Sequence, residues 1–171
     1  MDFARANHAA LFISIHADTL TDPFGVRGAT IYTLSDTASD EESARYAEQE
    51  NRSDLISGVD LSGESNEVAD ILIDLTRRET KAFSNRFARV LINQFRSAAT
   101  LNKNPHRSAG FRVLKAADIP SVLLELGYLS NRKDLALITS LEWQDKTTDA
   151  VTTAVDSFFA AKTGESTVDS N

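Results

Sequence analysis

Two apolar runs in this chain end in groups capable of acid–base or metal chemistry. Ala9-Ala10-Leu11-Phe12-Ile13-Ser14-Ile15 leads directly into His16-Ala17-Asp18, and Ile119-Pro120-Ser121-Val122-Leu123-Leu124 leads into Glu125. Histidine is a common metal ligand, and a carboxylate near it can act as general base on a metal-bound water. An ionised glutamate at the end of so apolar a run is costly unless a cation or hydrogen bonds compensate. Each residue also has a plainer reading. A strand-end imidazole can be a hydrogen-bonded structural group, and a strand-end glutamate can be a cap or a surface residue. Asp18 can bond near His16 or cap the turn that follows. His8 and His106 fall in helix-end and loop surroundings, and we assign them structural or surface roles.

Other chemistries are excluded by residue type. The 171 residues include no cysteine, so there is no disulfide, thiolate metal site or cysteine nucleophile. No Gly-rich phosphate loop, G-x-S-x-G elbow or H-E-x-x-H pair occurs. A net charge of −7 argues against nucleic acid or an anionic membrane surface as partner. No segment approaches the roughly 18 apolar residues of a membrane span. Met1 to Arg5 lacks the charged-then-apolar layout of a signal peptide, which leaves export open.

The elements that must position these groups follow from hydrophobic patterning. Phe3 to His8 reads as the end of a helix. The run Ala9–Ile15 suits a strand buried on both faces, as in a parallel sheet. A second strand is expected at Ala29–Leu34. Val68 to Phe95 carries apolar residues at spacings of three and four, the mark of a long amphipathic helix. A loop is expected around Asn104-Pro105-His106, then strands at Phe111–Lys115 and Ile119–Leu126. Ser130 or Asn131 can cap a helix reaching about Leu141, and a last helix over about Leu141–Ala161 stops at Gly164. Alternating strands and helices imply an α/β fold: a mostly parallel twisted sheet flanked by helices on both faces. Beyond strand ends of such a sheet, ligands bind.

One segment departs from this pattern. Between Asp36 and Asp70 there are eleven acidic residues and two basic ones, Arg45 and Arg52, a net of −9 that exceeds the charge of the whole chain. Ser39 and Glu42 have the spacing of a capping box, so a helix should run from there to about Glu50. Its one large apolar residue is Tyr46, which leaves it little surface for ordinary packing. From Arg52 to Glu67 a Ser/Gly/Asp loop carries a sticky patch at Leu55, Ile56 and Val59. A solvated surface excursion is the plain alternative.

Three segments carry a family resemblance. Ala6-Asn7 with Leu11–Asp18, then Ala109-Gly110-Phe111-Arg112-Val113-Leu114-Lys115, then Ile119 to Asn131 resemble, in order and spacing, segments of zinc-dependent N-acetylmuramoyl-L-alanine amidases. The likeness runs from about Arg5 to Ala161. It implies a phosphorylase/hydrolase-like fold whose first elements are missing, with a catalytic domain over 1–162 and a regulatory insert at 36–67; the polar composition after it marks 163–171 as a disordered tail. The likeness implies zinc as cofactor, His16 as a zinc ligand and Glu125 as the catalytic carboxylate. The substrate would be peptidoglycan, cleaved between N-acetylmuramic acid and L-alanine, in the periplasm. Family members also supply a Gly-His-Gly histidine and a glutamate upstream of the position of Arg5. The expectation is therefore an N-terminally truncated domain that alone holds zinc weakly and has little activity.

The insert resembles that of the cell-division subgroup, in which a helix held over the active site is released by LytM-type activators. The resemblance implies Glu41, then Glu42, as the carboxylate that blocks the zinc, and Leu55, Ile56 and Val59 as activator contacts. Two other readings stand beside it. One is a non-catalytic module of the same fold that binds the activator. The other is a different α/β zinc hydrolase such as a carboxypeptidase.

Overall fold

The computed structural model describes residues 2–20, 26–56, 70–116 and 118–165. Four strands and five helices are formed among them: α1 (Asp2–Ala6), β1 (Phe12–His16), β2 (Ala29–Leu34), α2 (Glu41–Ile56), α3 (Asp70–Ala98), β3 (Leu101–Ala109), β4 (Ser121–Glu125), α4 (Arg132–Ile138) and α5 (Leu141–Glu165). The strands form one mixed sheet in the order β1-β4-β2-β3, flanked by helices. Phe12 N donates to Pro120 O and Leu126 N to His16 O, a register that makes β1 and β4 parallel. Ala29 N donates to Thr100 O and Ser35 N to Ala109 O, so β2 and β3 are parallel as well. A mixed sheet with those two parallel pairs joins β4 and β2 antiparallel.

The chain divides into two compact units. The first comprises Met1–Ile15, Tyr32–Asn85 and Arg107–Leu124, and the second His16–Ile31, Arg86–His106 and Glu125–Asn171. In the first, Tyr32, Tyr46 and Phe111 form an aromatic cluster with ring centroids 5.0–5.6 Å apart. A smaller cluster gathers Ala4, Ala116 and Ile119 with Ala9 and Phe12. Ser84 Oγ accepts from Ser121 N at 2.9 Å and donates to Thr80 O, tying α3 to the start of β4. In the second unit, Phe158 meets Phe87 and Phe159 edge-on at 5.4 and 5.3 Å.

Several sequence expectations are corrected. The polar stretch around Pro105 is not a loop but the interior of β3. Proline is tolerated there because β3 is an edge strand, where a missing N–H costs no ladder bond. Phe111–Lys115 is not a strand: Arg112–Leu114 form a 3-10 turn that buries Leu114. β1 is not covered on both faces. It is the other edge strand, and Ile15 is 61% exposed. The cap of α2 is Asp40 rather than Ser39. Asp40 Oδ1 accepts from Ser43 N at 2.8 Å, the bond an N-cap side chain makes to the third helical N–H. α2 runs on to Ile56, past the expected end at Glu50, and α5 runs one residue past Gly164. Val59 and most of the expected loop, at 57–69, lie outside the described residues, as does the tail from 166.

Asn131 caps α4 as expected, its side chain accepting from Lys133 N and Asp134 N. His8 has the structural role expected of it. With φ of 50° it ends α1, His8 N bonding to Arg5 O and Ala9 N to Ala4 O. Those two bonds are a Schellman motif with histidine in the left-handed position usually taken by glycine.

Candidate functional site

The second unit brings together the two strand ends singled out in the sequence. His16 closes β1 and Glu125 closes β4, and the parallel pairing of these strands puts both termini at one edge of the sheet. His16 Nδ1 lies 3.3 Å from Asp18 Oδ2, both side chains about a quarter exposed or less. Asp18 N donates to Glu125 Oε1 at 3.2 Å. Asp18 therefore contacts the imidazole with its side chain and the glutamate with its backbone. Of the two roles the sequence left open for Asp18, a bond near His16 or a cap on the following turn, the structure shows the bond near His16; the backbone contact with Glu125 was not foreseen.

Glu125 is fully buried. Its carboxylate sits at the end of the all-buried strand Ser121–Glu125, so the Asp18 N–H offsets part of the cost of removing that charge from water. The carboxylate beside Nδ1 restrains the orientation of the His16 ring. Imidazole nitrogen and carboxylate oxygen are donors that zinc accepts.

The segments that carry these groups are wired to each other. Beyond the sheet, Leu129 N donates to Asp18 O at 2.7 Å, and Leu20 N to Ser130 Oγ at 3.3 Å. The 16–20 and 126–130 segments thus continue side by side past the ladder. Gly127 at φ +146° is needed there, since a Cβ would stand 3.1 Å from the Asp134 carboxylate.

The carboxylates of the acidic segment belong to the first unit. Glu41 is 95% exposed and faces Arg45 at 3.8 Å. Glu42 Oε2 accepts from Arg107 Nη1 at 2.8 Å, and Asp40 Oδ1 from the same nitrogen at 3.1 Å. Arg107 itself is 7% exposed. Its guanidinium is held above its ordinary pKa: burial works against the charge, and the bond and charge of Glu42, the Tyr32 hydroxyl and Asp40 outweigh it. Glu50 is the buried carboxylate of α2, 6% exposed; sequence reasoning missed it, although its spacing of four from Tyr46 puts it on the same helix face. α2 packs better than its composition suggested, because Ser43 and Ala47 are small enough to let Tyr46 reach Tyr32 and Phe111. Asn51 adds a polar clamp, donating to Gly110 O at 2.9 Å and accepting from Arg112 N at 2.7 Å. Beside it lies an open groove of about 450 Å³ floored by Ala44, Ala47 and Ala109. It is lined by no histidine and is not where the imidazole chemistry resides. Of the expected activator contacts, Leu55 and Ile56 lie in the last turn of α2. No described helix is long and apolar enough to cross a membrane.

Comparison with known proteins adds to this geometry. A family model described as N-acetylmuramoyl-L-alanine amidase matches residues 1–157. The N-acetylmuramoyl-L-alanine amidase AmiC of Escherichia coli O6:H1 is 34% identical over 158 residues, covering 92% of this chain and 37% of that protein. AmiC of Neisseria meningitidis serogroup B is 32% identical over 152 residues, covering 88% and 36%. The chain thus spans little more than a third of the length of these relatives. Among solved structures, the N-acetylmuramyl-L-alanine amidase Ami1 from Mycobacterium smegmatis superposes with a TM-score of 0.60 at 22% identity, over 94% of this chain and 58% of that one. The catalytic domain of CwlV from Bacillus (Paenibacillus) polymyxa gives 0.58 at 20%, over 93% and 63%. At such identities the likeness is one of fold.

Proposed function

This chain belongs to the N-acetylmuramoyl-L-alanine amidase family, and on that premise we propose that it carries part of the active site of a peptidoglycan hydrolase, which cleaves the amide between N-acetylmuramic acid and L-alanine. The observation that carries the reading is the convergence of an imidazole and a buried carboxylate on Asp18. A structural histidine or a capping glutamate would account for either residue alone but not for both on one connecting residue.

The donors fit zinc in kind, and His16 supplies one of the three protein ligands that a catalytic zinc takes as a rule. When bound, zinc supplies Lewis acidity toward the scissile carbonyl and a water that ionises near neutral pH. The chain's own residues do the rest. Asp18 holds the His16 ring in its ligating orientation. Glu125 takes the proton of the attacking water and returns it to the departing amine of L-alanine. Burial and the Asp18 N–H keep that carboxylate in one position, so that little reorganisation is needed during the reaction.

The proposal extends to regulation. A carboxylate of the 36–67 insert would act as the inhibitory group, and a LytM-type activator in the periplasm, contacting Leu55, Ile56 and Val59, would relieve it. Glu41 and then Glu42 are the candidates from sequence, but each must leave its arginine to inhibit. Glu50 joins them as the buried carboxylate of the same helix. Alanine substitution of each in turn separates them: the blocking residue is the one whose loss raises basal hydrolysis. Deleting the insert from a complete domain should raise it as well, and an unchanged basal rate would count against inhibition.

The hydrolytic reading is tested by digesting purified cell-wall sacculi with a zinc-supplemented complete amidase domain that includes these residues and identifying the products by mass spectrometry. Release of intact stem peptides beginning at L-alanine, lost in Glu125→Ala, is the expected result. Release of C-terminal amino acids instead would indicate a carboxypeptidase and overturn it.

A further inference from the structure

Asp134 is a carboxylate to which neither the sequence motifs nor the proposed chemistry assigns a role. It lies in the first turn of α4, 2% exposed. Its Oδ2 accepts from Gly28 N at 2.8 Å and from Tyr128 N at 3.2 Å. Arg27 Nε stands 3.5 Å from Oδ1 as an ion pair, and neither of those two atoms has a hydrogen-bond partner among the described residues. A buried carboxylate held mainly by amide donors is expensive to keep. A residue needed only to fill space would be apolar.

The backbone around it is built for close approach. Gly28, at φ +83°, leaves no room for a Cβ, which would come within 2.7 Å of the Leu101 carbonyl carbon. A Cβ on Gly127 would come within 3.1 Å of Oδ2 itself. Oδ2 is thus clamped between the turn entering β2 and the turn leaving β4. The second of these turns is the one that holds the site. Leu126 and Leu129 donate to the carbonyls of His16 and Asp18, and Asp18 donates to Glu125.

The geometry points to Asp134 as a positioning residue for the proposed reaction. By fixing Tyr128 N it sets the path of residues 126–130, and through them the 16–18 segment that orients both the His16 ring and the Glu125 carboxylate. This rests on the reading of Glu125 as the base, but its test does not. The chain is labelled with nitrogen-15, and amide resonances are compared in wild type, Asp134→Asn, Asp134→Ala and the control Phe158→Leu, which loosens the same unit elsewhere. Both Asp134 variants shift the Gly28 and Tyr128 amides directly, because their acceptor is altered. If Asp134 positions the site, the Asp18 amide moves with them. Its hydrogen exchange then quickens about tenfold in Asp134→Ala and less in Asp134→Asn, which keeps an oxygen acceptor. Phe158→Leu leaves the Asp18 resonance in place. Gly28 and Tyr128 shifting while Asp18 stays fixed would overturn the proposal, as would an equal Asp18 shift in the control. If Asp134→Ala does not fold, the isosteric Asp134→Asn decides by the same comparison. Normal sacculus hydrolysis by Glu125→Gln would instead overturn the functional reading and leave the amide result to stand alone.

Discussion

Asp18 and Glu125, 107 positions apart in sequence, are joined by a backbone N–H donating to a carboxylate oxygen at 3.2 Å. Because the donor is main chain, the contact depends on the path of the chain beyond β1 and not on the side chain at position 18. That side chain makes a separate contact, with His16 Nδ1. The two contacts can therefore be broken separately.

Glu125→Gln keeps an oxygen to accept from Asp18 N and removes the proton acceptor. General-base catalysis contributes roughly 10²- to 10⁴-fold, and hydrolysis of sacculi should fall within that range. Stability should hold or rise, because a buried charge is removed and its hydrogen bond kept. Paired turnover and thermal-unfolding measurements check both. Lost activity accompanied by a collapse in Tm would mean that Glu125 is a structural residue.

Asp18→Ala does the converse. The N–H to Glu125 stays, and the carboxylate beside the imidazole is lost. Loss of such an outer partner typically weakens metal affinity or activity by about 10- to 100-fold. Isothermal titration with zinc chloride should show that weakening with little change in Tm, since both side chains are partly exposed. Wild-type zinc affinity in this variant would remove Asp18 from the site.

Much of this arrangement was legible in the sequence. Val122-Leu123-Leu124 announced a buried strand, and the isolated charge after it marked Glu125. The spacing from Val68 to Phe95 gave α3, and Asn131 gave the cap of α4. β3 was illegible for a physical reason. Its buried residues include Asn102 and Arg107, which bond to Arg27 O and to Asp40 and Glu42. Hydrophobic alternation cannot reveal a strand whose buried positions are polar and satisfied by specific partners. The exposure of Ile15 was hidden for a related reason: an apolar edge strand and an apolar central strand look alike in sequence. The one-residue shift of the α2 cap followed from Arg107, which engages the Glu42 side chain that a capping box would have used.

Asp40 gives a pH dependence. Burial works against its charge, but the Ser43 N–H and hydroxyl, the Arg107 guanidinium and the Ser39 hydroxyl together hold its pKa below the ordinary 3.8. A folded pKa below the unfolded one stabilises fully above about 3.8 and is lost as pH falls through the folded value. Asp40→Ala should therefore cost about 1 kcal/mol at pH 7, the usual worth of an N-cap. The gap from wild type should narrow only below pH 3.8. Urea unfolding of both proteins from pH 7 to 3 measures it, and a gap that closes above pH 5 would refute the assignment.

Asn51 gives the last prediction. Its amide bridges Gly110 O and Arg112 N, holding α2 to the turn after β3. Asn51→Ala removes both bonds at partly exposed sites, for a loss of about 1–2 kcal/mol. Asn51→Asp keeps the acceptor for Arg112 N, sets a carboxylate against the Gly110 carbonyl and should fall between. Amide exchange separates a clamp from a general loss of stability, because Arg112 N should lose protection in Asn51→Ala and keep it in Asn51→Asp. If the insert restrains the site, Asn51→Ala should also raise basal hydrolysis, since α2 then loses its clamp on Gly110 and the 3-10 turn. Equal loss of Arg112 protection in both variants would sink the clamp, and an unchanged basal rate alongside a real loss of protection would confine Asn51 to stability.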